Sequence, residues 1–214
     1  MRRLACMVLL CAVWATPAMA DMVKNGSFEK GISIPAPGFV GLAPGSTAIT
    51  DWTVIGSGAR VVDYIGYYWQ ASDGGRSVDL DGYQSGNGGL EQVISTVSGN
   101  TYLVRFDMAG NPESGPVIKT MAVSAYDTNP LSPLSTQSFS FDTTGYTKTS
   151  MGWTHMQFAF TADAPSTTLR FKSTTSGQGY GPVLDNVSVV PVPAAVLLGI
   201  LGLGAAGMKL RRYA

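Results

Sequence analysis

Seven residues between Tyr64 and Asp81 concentrate the side chains able to handle a sugar. Tyr64, Tyr67, Tyr68 and Trp69 stand together in YIGYYWQ, the densest aromatic cluster in the chain. Flat ring faces pack against the C–H faces of sugars, while their polar edges tolerate water. Arg76, Asp79 and Asp81 follow closely, with Tyr83 and Gln84, and offer hydrogen bonds. The competing reading is that aromatics in a β protein mostly fill its core, Trp69 above all. Along a strand Asp79 and Asp81 point one way, about 6.6 Å apart, and Val78 and Leu80 the other. That separation is near the roughly 5–5.5 Å of a retaining glycosidase. Catalytic carboxylates must flank the bond they cleave, however, and two neighbours on one strand do not. His155 is the one histidine, with no GxSxG elbow and no second histidine to form a metal pair. The chemistry expected is therefore binding without catalysis. Tyr180, in the loop 176–181, is a further candidate for the same site.

Two more acidic residues call for partners. In Gly181-Pro-Val-Leu-Asp-Asn-Val-Ser-Val-Val190, Asp185 falls in phase with Val183, Val187 and Val189. Alternation therefore turns it towards the core, and a buried carboxylate needs a cation or several donors. Glu29 closes the polar turn Asn25-Gly26-Ser27-Phe28-Glu29. First and last strands often meet in sandwiches, so Glu29 and Asp185 are expected to share a hard cation, calcium before any other. Otherwise Asp185 bonds only backbone amides and Glu29 is solvated.

The elements that must position these groups are strands. Helical periodicity is absent, and period-two stretches recur between Gly, Pro, Ser and Thr breaks. The pattern predicts strands over 51–55, 60–65, 76–81, 90–97 and 101–109. It predicts five more over 118–126, 137–141, 153–161, 167–173 and 183–190. Tyr102, Val104, Phe106 and Met108 alternate with Leu103, Arg105 and Asp107, the habit of an antiparallel sheet with one buried face. Some ten strands without helices predict an all-β, two-sheet β-sandwich or jelly roll. The stretch 31–47, rich in Gly and Pro, reads as a long loop. One domain, 21–190, holds all of this.

Both ends read as processing segments. Residues 1–20 carry Arg2 and Arg3, an apolar run and Ala18-Met19-Ala20, the three parts of a cleavable signal peptide read by the Sec translocon and signal peptidase. Cys6 and Cys11 both lie there, so residues 21–190 hold no cysteine and no thiol chemistry. That domain has nine basic and fourteen acidic residues, net −5, and no basic stripe for nucleic acid. Residues 191–214 open on Pro191-Val192-Pro193-Ala194 and end in Lys209, Arg211 and Arg212. Between them, 192–208 is uncharged and about long enough to cross a ~30 Å hydrocarbon layer as a helix, with the basic cluster on the cytoplasmic side. This order of proline motif, hydrophobic run and arginine cluster resembles the PEP-CTERM sorting signal, in its VPLPA form. The resemblance implies an exosortase-type protease at the inner membrane, and a chain exported to the surface after transient anchoring.

An ordered series of short motifs spans most of 22–190. It runs Asn25-Gly26-Ser27-Phe28-Glu29, Asp51-Trp52-Thr53-Val54, Val62-Asp63-Tyr64-Ile65 and Trp69-Gln70. It continues through Ser77-Val78-Asp79-Leu80-Asp81-Gly82, Ala109-Gly110-Asn111-Pro112 and Gly181-Pro182-Val183-Leu184-Asp185-Asn186-Val187. The series resembles the choice-of-anchor C family of bacterial surface proteins and the related plant cell-wall proteins with a domain of unknown function. It implies a galactose-binding-like jelly roll, association with cell-wall polysaccharide, and a structural calcium near both termini. The paired cysteines of the plant relatives have no counterpart in 21–190. The function expected is a non-catalytic, glycan-binding surface or matrix protein. The alternative is a structural matrix protein acting through protein–protein contacts.

Overall fold

The computed structural model describes residues 21–83, 87–177 and 179–193. The expected signal peptide, residues 1–20, Gln84, and Ala194, Arg211 and Arg212 of the expected sorting segment lie outside the described residues. Numbered in chain order, the first sheet runs β1 (Phe39–Leu42), β3 (Val62–Ile65), β4 (Ser77–Asp79), β11 (Pro182–Pro191), β6 (Thr101–Gly110) and β9 (Thr154–Thr161). The second runs β2 (Thr53–Ile55), β5 (Gly89–Ser95), β10 (Ser166–Ser173), β7 (Ile118–Tyr126) and β8 (Ser135–Asp142). Every pairing is antiparallel. All ten expected strands form. The stretch 31–47 is not only loop: it contains β1, which pairs with β3 from Phe39↔Ile65 to Leu42↔Val62. Four residues among glycines and prolines are too few to show a period.

The alternation works as expected on the inner faces. Tyr64, Val78, Leu184 and Met108 form one cross-strand row, all fully buried. Facing them, Leu90, Phe171 and Val123 form another. Phe106 locks the two sheets, its ring 5.2 Å from Phe171 and 5.1 Å from Phe139, both edge-on. Trp52 packs on Phe28 at 5.4 Å and on Phe171 at 6.2 Å.

The opposite face of the first sheet breaks the rule. Strand register puts Asp63 across from Asp79, and Asp107 across from Asp185, on the side turned away from the core. All four are buried. An antiparallel sheet commonly leaves this side wet; here loops cover it. The register slips between Asp185 and Ser188, with Asn186 at φ 50°. This β-bulge inserts one residue and reverses the phase. Val187 and Val189 therefore face inward, whereas Val183 and Asp185 face outward beneath a loop. The expectation that Asp185 shares their face is corrected by that one residue.

The N-terminal segment docks along β11. The Met22 amide donates to the Val189 carbonyl (3.0 Å), and the Val187 amide to the Gly26 carbonyl (2.9 Å). Asn25 ties the turn together, its side-chain amide donating to the Lys30 and Thr50 carbonyls at 2.8 Å each. A Cβ at Gly26 would sit 1.9 Å from the Val187 carbonyl oxygen, a backbone atom that cannot swing aside. Gly26→Ala should therefore cost about 1–3 kcal/mol, the usual range for overpacking. Urea denaturation of the two proteins checks this; equal midpoints would mean that the segment is not docked.

Candidate functional site

A pocket of about 150 Å³ opens on the outward side of the first sheet. Its floor comes from the strands: Phe39 of β1, Asp63 and Ile65 of β3, and Asp79 of β4. Its walls come from the chain that leaves those strands. Tyr68 and Trp69 follow β3, Tyr83 follows β4, and Asn111 and Glu113 follow β6. Tyr180 closes it from the segment before β11. Trp69 donates its indole N–H to Ser77 Oγ (2.9 Å), which fixes the ring. Tyr68 packs edge-on against Phe39 at 5.0 Å and donates its hydroxyl to Glu113 (2.7 Å). Lys148 completes that corner, 3.0 Å from Glu113 and 4.1 Å from the centre of the Tyr68 ring.

The polar floor is a network of buried carboxylates. Asp79 Oδ1 accepts the amides of Asp81 (2.9 Å) and Gly181 (3.0 Å), and Oδ2 accepts from the Asn111 side chain (2.9 Å). Asp63 Oδ2 accepts the Tyr83 amide (3.2 Å), while its Oδ1 is buried with no hydrogen-bond partner among the described residues. Beneath them, the Lys119 ammonium donates to the carbonyls of Ser114 (2.7 Å) and Tyr180 (2.6 Å) and so joins two of the pocket-wall segments. Burial disfavours each charge. It raises Asp63 to about 6 and Asp79 to about 8, the latter also through the neighbouring charges of Asp63 and Asp81. The same desolvation pushes Lys119 down, against the pull of Asp79 and Asp81.

Of the expected binding residues, Tyr68, Trp69 and Asp79 meet in this pocket, joined by Tyr83 and Tyr180. Four others do not. Tyr64 is a core residue, fully buried, with its hydroxyl donated to the Phe28 carbonyl. Arg76 donates to the Tyr64 oxygen and to the Ile32 carbonyl (3.1 Å), a structural role. Tyr67 is 70% exposed and is not part of the pocket wall. Asp81 is buried beside the pocket, with Oδ1 accepting the Asn87 amide. The dense run YIGYYWQ is thus divided by the end of β3 at Ile65. Phe39, Asp63, Asn111 and Glu113 were not among the expected binding residues. Asp63 carried a signal, a carboxylate between Val62 and Tyr64 in a strand; the others owe their place to tertiary folding.

Glu29 and Asp185 do converge, but on a loop. Asp185 Oδ2 accepts the amides of Ser72 (2.8 Å) and Asp73 (3.0 Å), and Oδ1 that of Asn186 (2.7 Å). Glu29 Oε1 accepts the amides of Gly75 (2.9 Å) and Arg76 (2.8 Å). Asp107 adds Ser72 Oγ, the Asn186 side chain (3.1 Å) and His155, whose ring is otherwise solvent-exposed. These N–H and O–H groups supply both carboxylates with donors and form a carboxylate clasp against the loop. Among the described residues no three His, Cys, Asp or Glu side chains converge to hold a metal ion. Burial nonetheless raises Asp185 to about 7.

Two packed antiparallel sheets of this kind are the architecture of a jelly roll. By sequence, the chain belongs to the family described as protein of unknown function (DUF642), which it matches over residues 21–190. It is 32% identical over 180 residues to halomucin of Haloquadratum walsbyi, a match covering 79% of this chain. The chain spans only 2% of the length of that relative. Among solved structures it is similar to TmCBM61, determined in complex with β-1,4-galactotriose, at a TM-score of 0.51 and 18% identity over 81% of this chain and 99% of that one. It is also similar to the arabinose-bound MgGH51 α-L-arabinofuranosidase, at 0.54 and 18% identity over 81% of this chain and 26% of that one. At this identity the likeness is one of fold.

Asp63, Asp79 and Asp185 all have folded pKa values above their unfolded value of 3.8. The native state therefore binds more protons than the unfolded chain between about pH 4 and 8. The stability these groups contribute is fully present below about pH 4 and is lost as pH rises through 6, 7 and 8. Melting curves should show a higher midpoint at pH 5 than at pH 8, and Asp79→Asn should flatten the upper part of that slope. A midpoint that rises steadily with pH would contradict the buried-carboxylate floor.

Proposed function

We propose that this chain is a non-catalytic carbohydrate-binding protein of a cell surface or extracellular matrix. The observation that carries the reading is the pocket itself. It sets rings from Phe39, Tyr68, Trp69, Tyr83 and Tyr180 around the carboxylates of Asp63 and Asp79. Rings accept the apolar faces of a sugar, and the floor's carboxyl groups hydrogen-bond its hydroxyls. The likeness in fold to TmCBM61, solved with a galactotriose, supports the ligand class, and the relation to halomucin supports the surface location. The reading extends to cell-wall or extracellular polysaccharide as partner. It places the chain in the choice-of-anchor C type, exported through Sec and signal peptidase and released by an exosortase-type protease acting at the tail that begins with Pro191 and Pro193. No step of bond cleavage is assigned to Asp79 and Asp81, since Asp79 is held by three donors and Asp81 does not line the pocket.

The test is binding of the full chain to a broad glycan panel, with Tyr68→Ala and Tyr180→Ala alongside. Saturable binding is expected, weakened about tenfold by each substitution, or ~1.4 kcal/mol, with melting midpoints little changed. Trp69 is a poor probe, because it is buried and its removal would cost about 3–5 kcal/mol of stability. Binding that is indifferent to both tyrosines, or no binding to any glycan, would remove the proposal.

A further inference from the structure

We infer that the flank of the sandwich where β8 and β9 end the two sheets is a self-association surface, on which a second copy of this chain adds its β8 antiparallel to β8. The inference does not involve the pocket. Three observations carry it.

The first is the state of the four sheet edges. A free edge strand offers unpaired N–H and C=O groups to any strand that reaches it, and proteins blunt such edges with short strands, prolines, charges or covering loops. The edges formed by β1 and β2 are blunted. β1 has four residues and lies between Pro37 and Pro44. β2 has three, and the preceding loop covers them. There the Gly45 amide donates to the Val54 carbonyl (2.8 Å) and the Val54 amide to the Ser46 carbonyl (2.9 Å). The other two edges have neither device. β8 and β9 lie against one another, eight residues each, and pair with β7 and β6 in unbroken register. Among the described residues, no further backbone–backbone hydrogen bond involves 135–142 or 154–161.

The second is charge. Residues 135–141 hold no titratable side chain and no proline, and 154–161 hold only His155. The domain is net −5 over residues 21–190. Two copies repel one another through that net charge, and least where no acidic side chain stands between them.

The third is self-complementarity. Thr136, Ser138 and Ser140 are exposed on the outward face of β8, while Phe139 and Phe141 turn inward. Phe139, like Met156 of β9, is only half-buried at the rim of the core. When β8 meets its own copy, outward residues must oppose outward ones, since a one-residue slip would turn every side chain to the wrong face. Ser138, at the middle of the strand, then stands opposite or diagonal to itself, with hydroxyl groups facing hydroxyl groups across the pair. On the inner face the half-buried Phe139 gains a neighbour from the second copy. Such a contact is isologous and closes at two chains.

The experiment is sedimentation velocity of the full chain over a range of concentrations, in mild detergent because residues 192–208 are apolar. Ser138→Lys and Ser138→Glu are run singly and as an equimolar mixture. The wild type is expected to form a concentration-dependent dimer. Each variant places like charges at the pairing centre and should raise the concentration of half-dimerisation about fivefold. Melting midpoints should not move, because Ser138 is exposed. The mixture, which sets lysine against glutamate, should return to the wild-type range. A wild type that stays monomeric overturns the inference, as it would if the partner of this edge were another protein. Dimers indifferent to both substitutions overturn it in favour of contact elsewhere, the apolar tail included. A mixture that dimerises no better than either variant alone overturns the pairing of β8 with β8.

Discussion

The bond on which this structure depends is that between a buried carboxylate and a backbone amide. Asp63, Asp79, Asp107 and Asp185 stand on the outward face of the first sheet, where strand alternation places them. Water would satisfy them there, yet they are covered. Leaving such groups buried and unpaired would cost far more than a hydrogen bond returns. Loops with no regular structure therefore fold back and present their N–H groups: Ser72 and Asp73 to Asp185, Gly181 and Asp81 to Asp79, Tyr83 to Asp63. The arrangement solves two problems together, since a loop lying on a sheet also has amides that need acceptors. Core packing holds the two sheets to one another, but the carboxylates decide where the loops lie.

The site follows from that covering. Its wall segments leave β3, β4 and β6 or lead into β11, and each is pinned close to where it contributes a ring or a polar group. The Asn111 side chain donates to Asp79 and accepts the Glu113 amide (3.0 Å), so one residue ties the floor to the wall. Lys119 joins the segment around Ser114 to that around Tyr180. A pocket framed this way is largely formed before any ligand arrives, and the conformational entropy of ordering its walls is lost on folding and not on binding.

How much of this could be read from the sequence depends on range. Period-two alternation is a local signal, and it located ten strands and the sandwich. β1 escaped because Phe39–Leu42 is held by its pairing with β3 and not by its own pattern. The phase of Asp185 failed because a bulge at Asn186 leaves no mark in hydrophobic periodicity; a single inserted residue moves every later side chain to the other face. Tyr68, Trp69 and Asp79 were legible as neighbours in one pocket from their clustering. Tyr64 looked identical in composition but precedes the end of its strand and turns into the core. Asp79 and Asp81 do share a face, as alternation requires. That this face is roofed by residues more than a hundred positions later, at Gly181, is a tertiary fact with no local trace.

β11 links the two ends of the molecule. It begins at Pro182, immediately after the segment that closes the pocket, and runs ten residues to Pro191. At ~3.4 Å per residue the strand is about 30 Å long. The N-terminal residues lie beside its far half, where Met22 meets Val189. Entry and exit are therefore at one pole and the pocket at the other. A partner attached through either terminus would therefore meet the molecule at the end of β11 opposite the pocket.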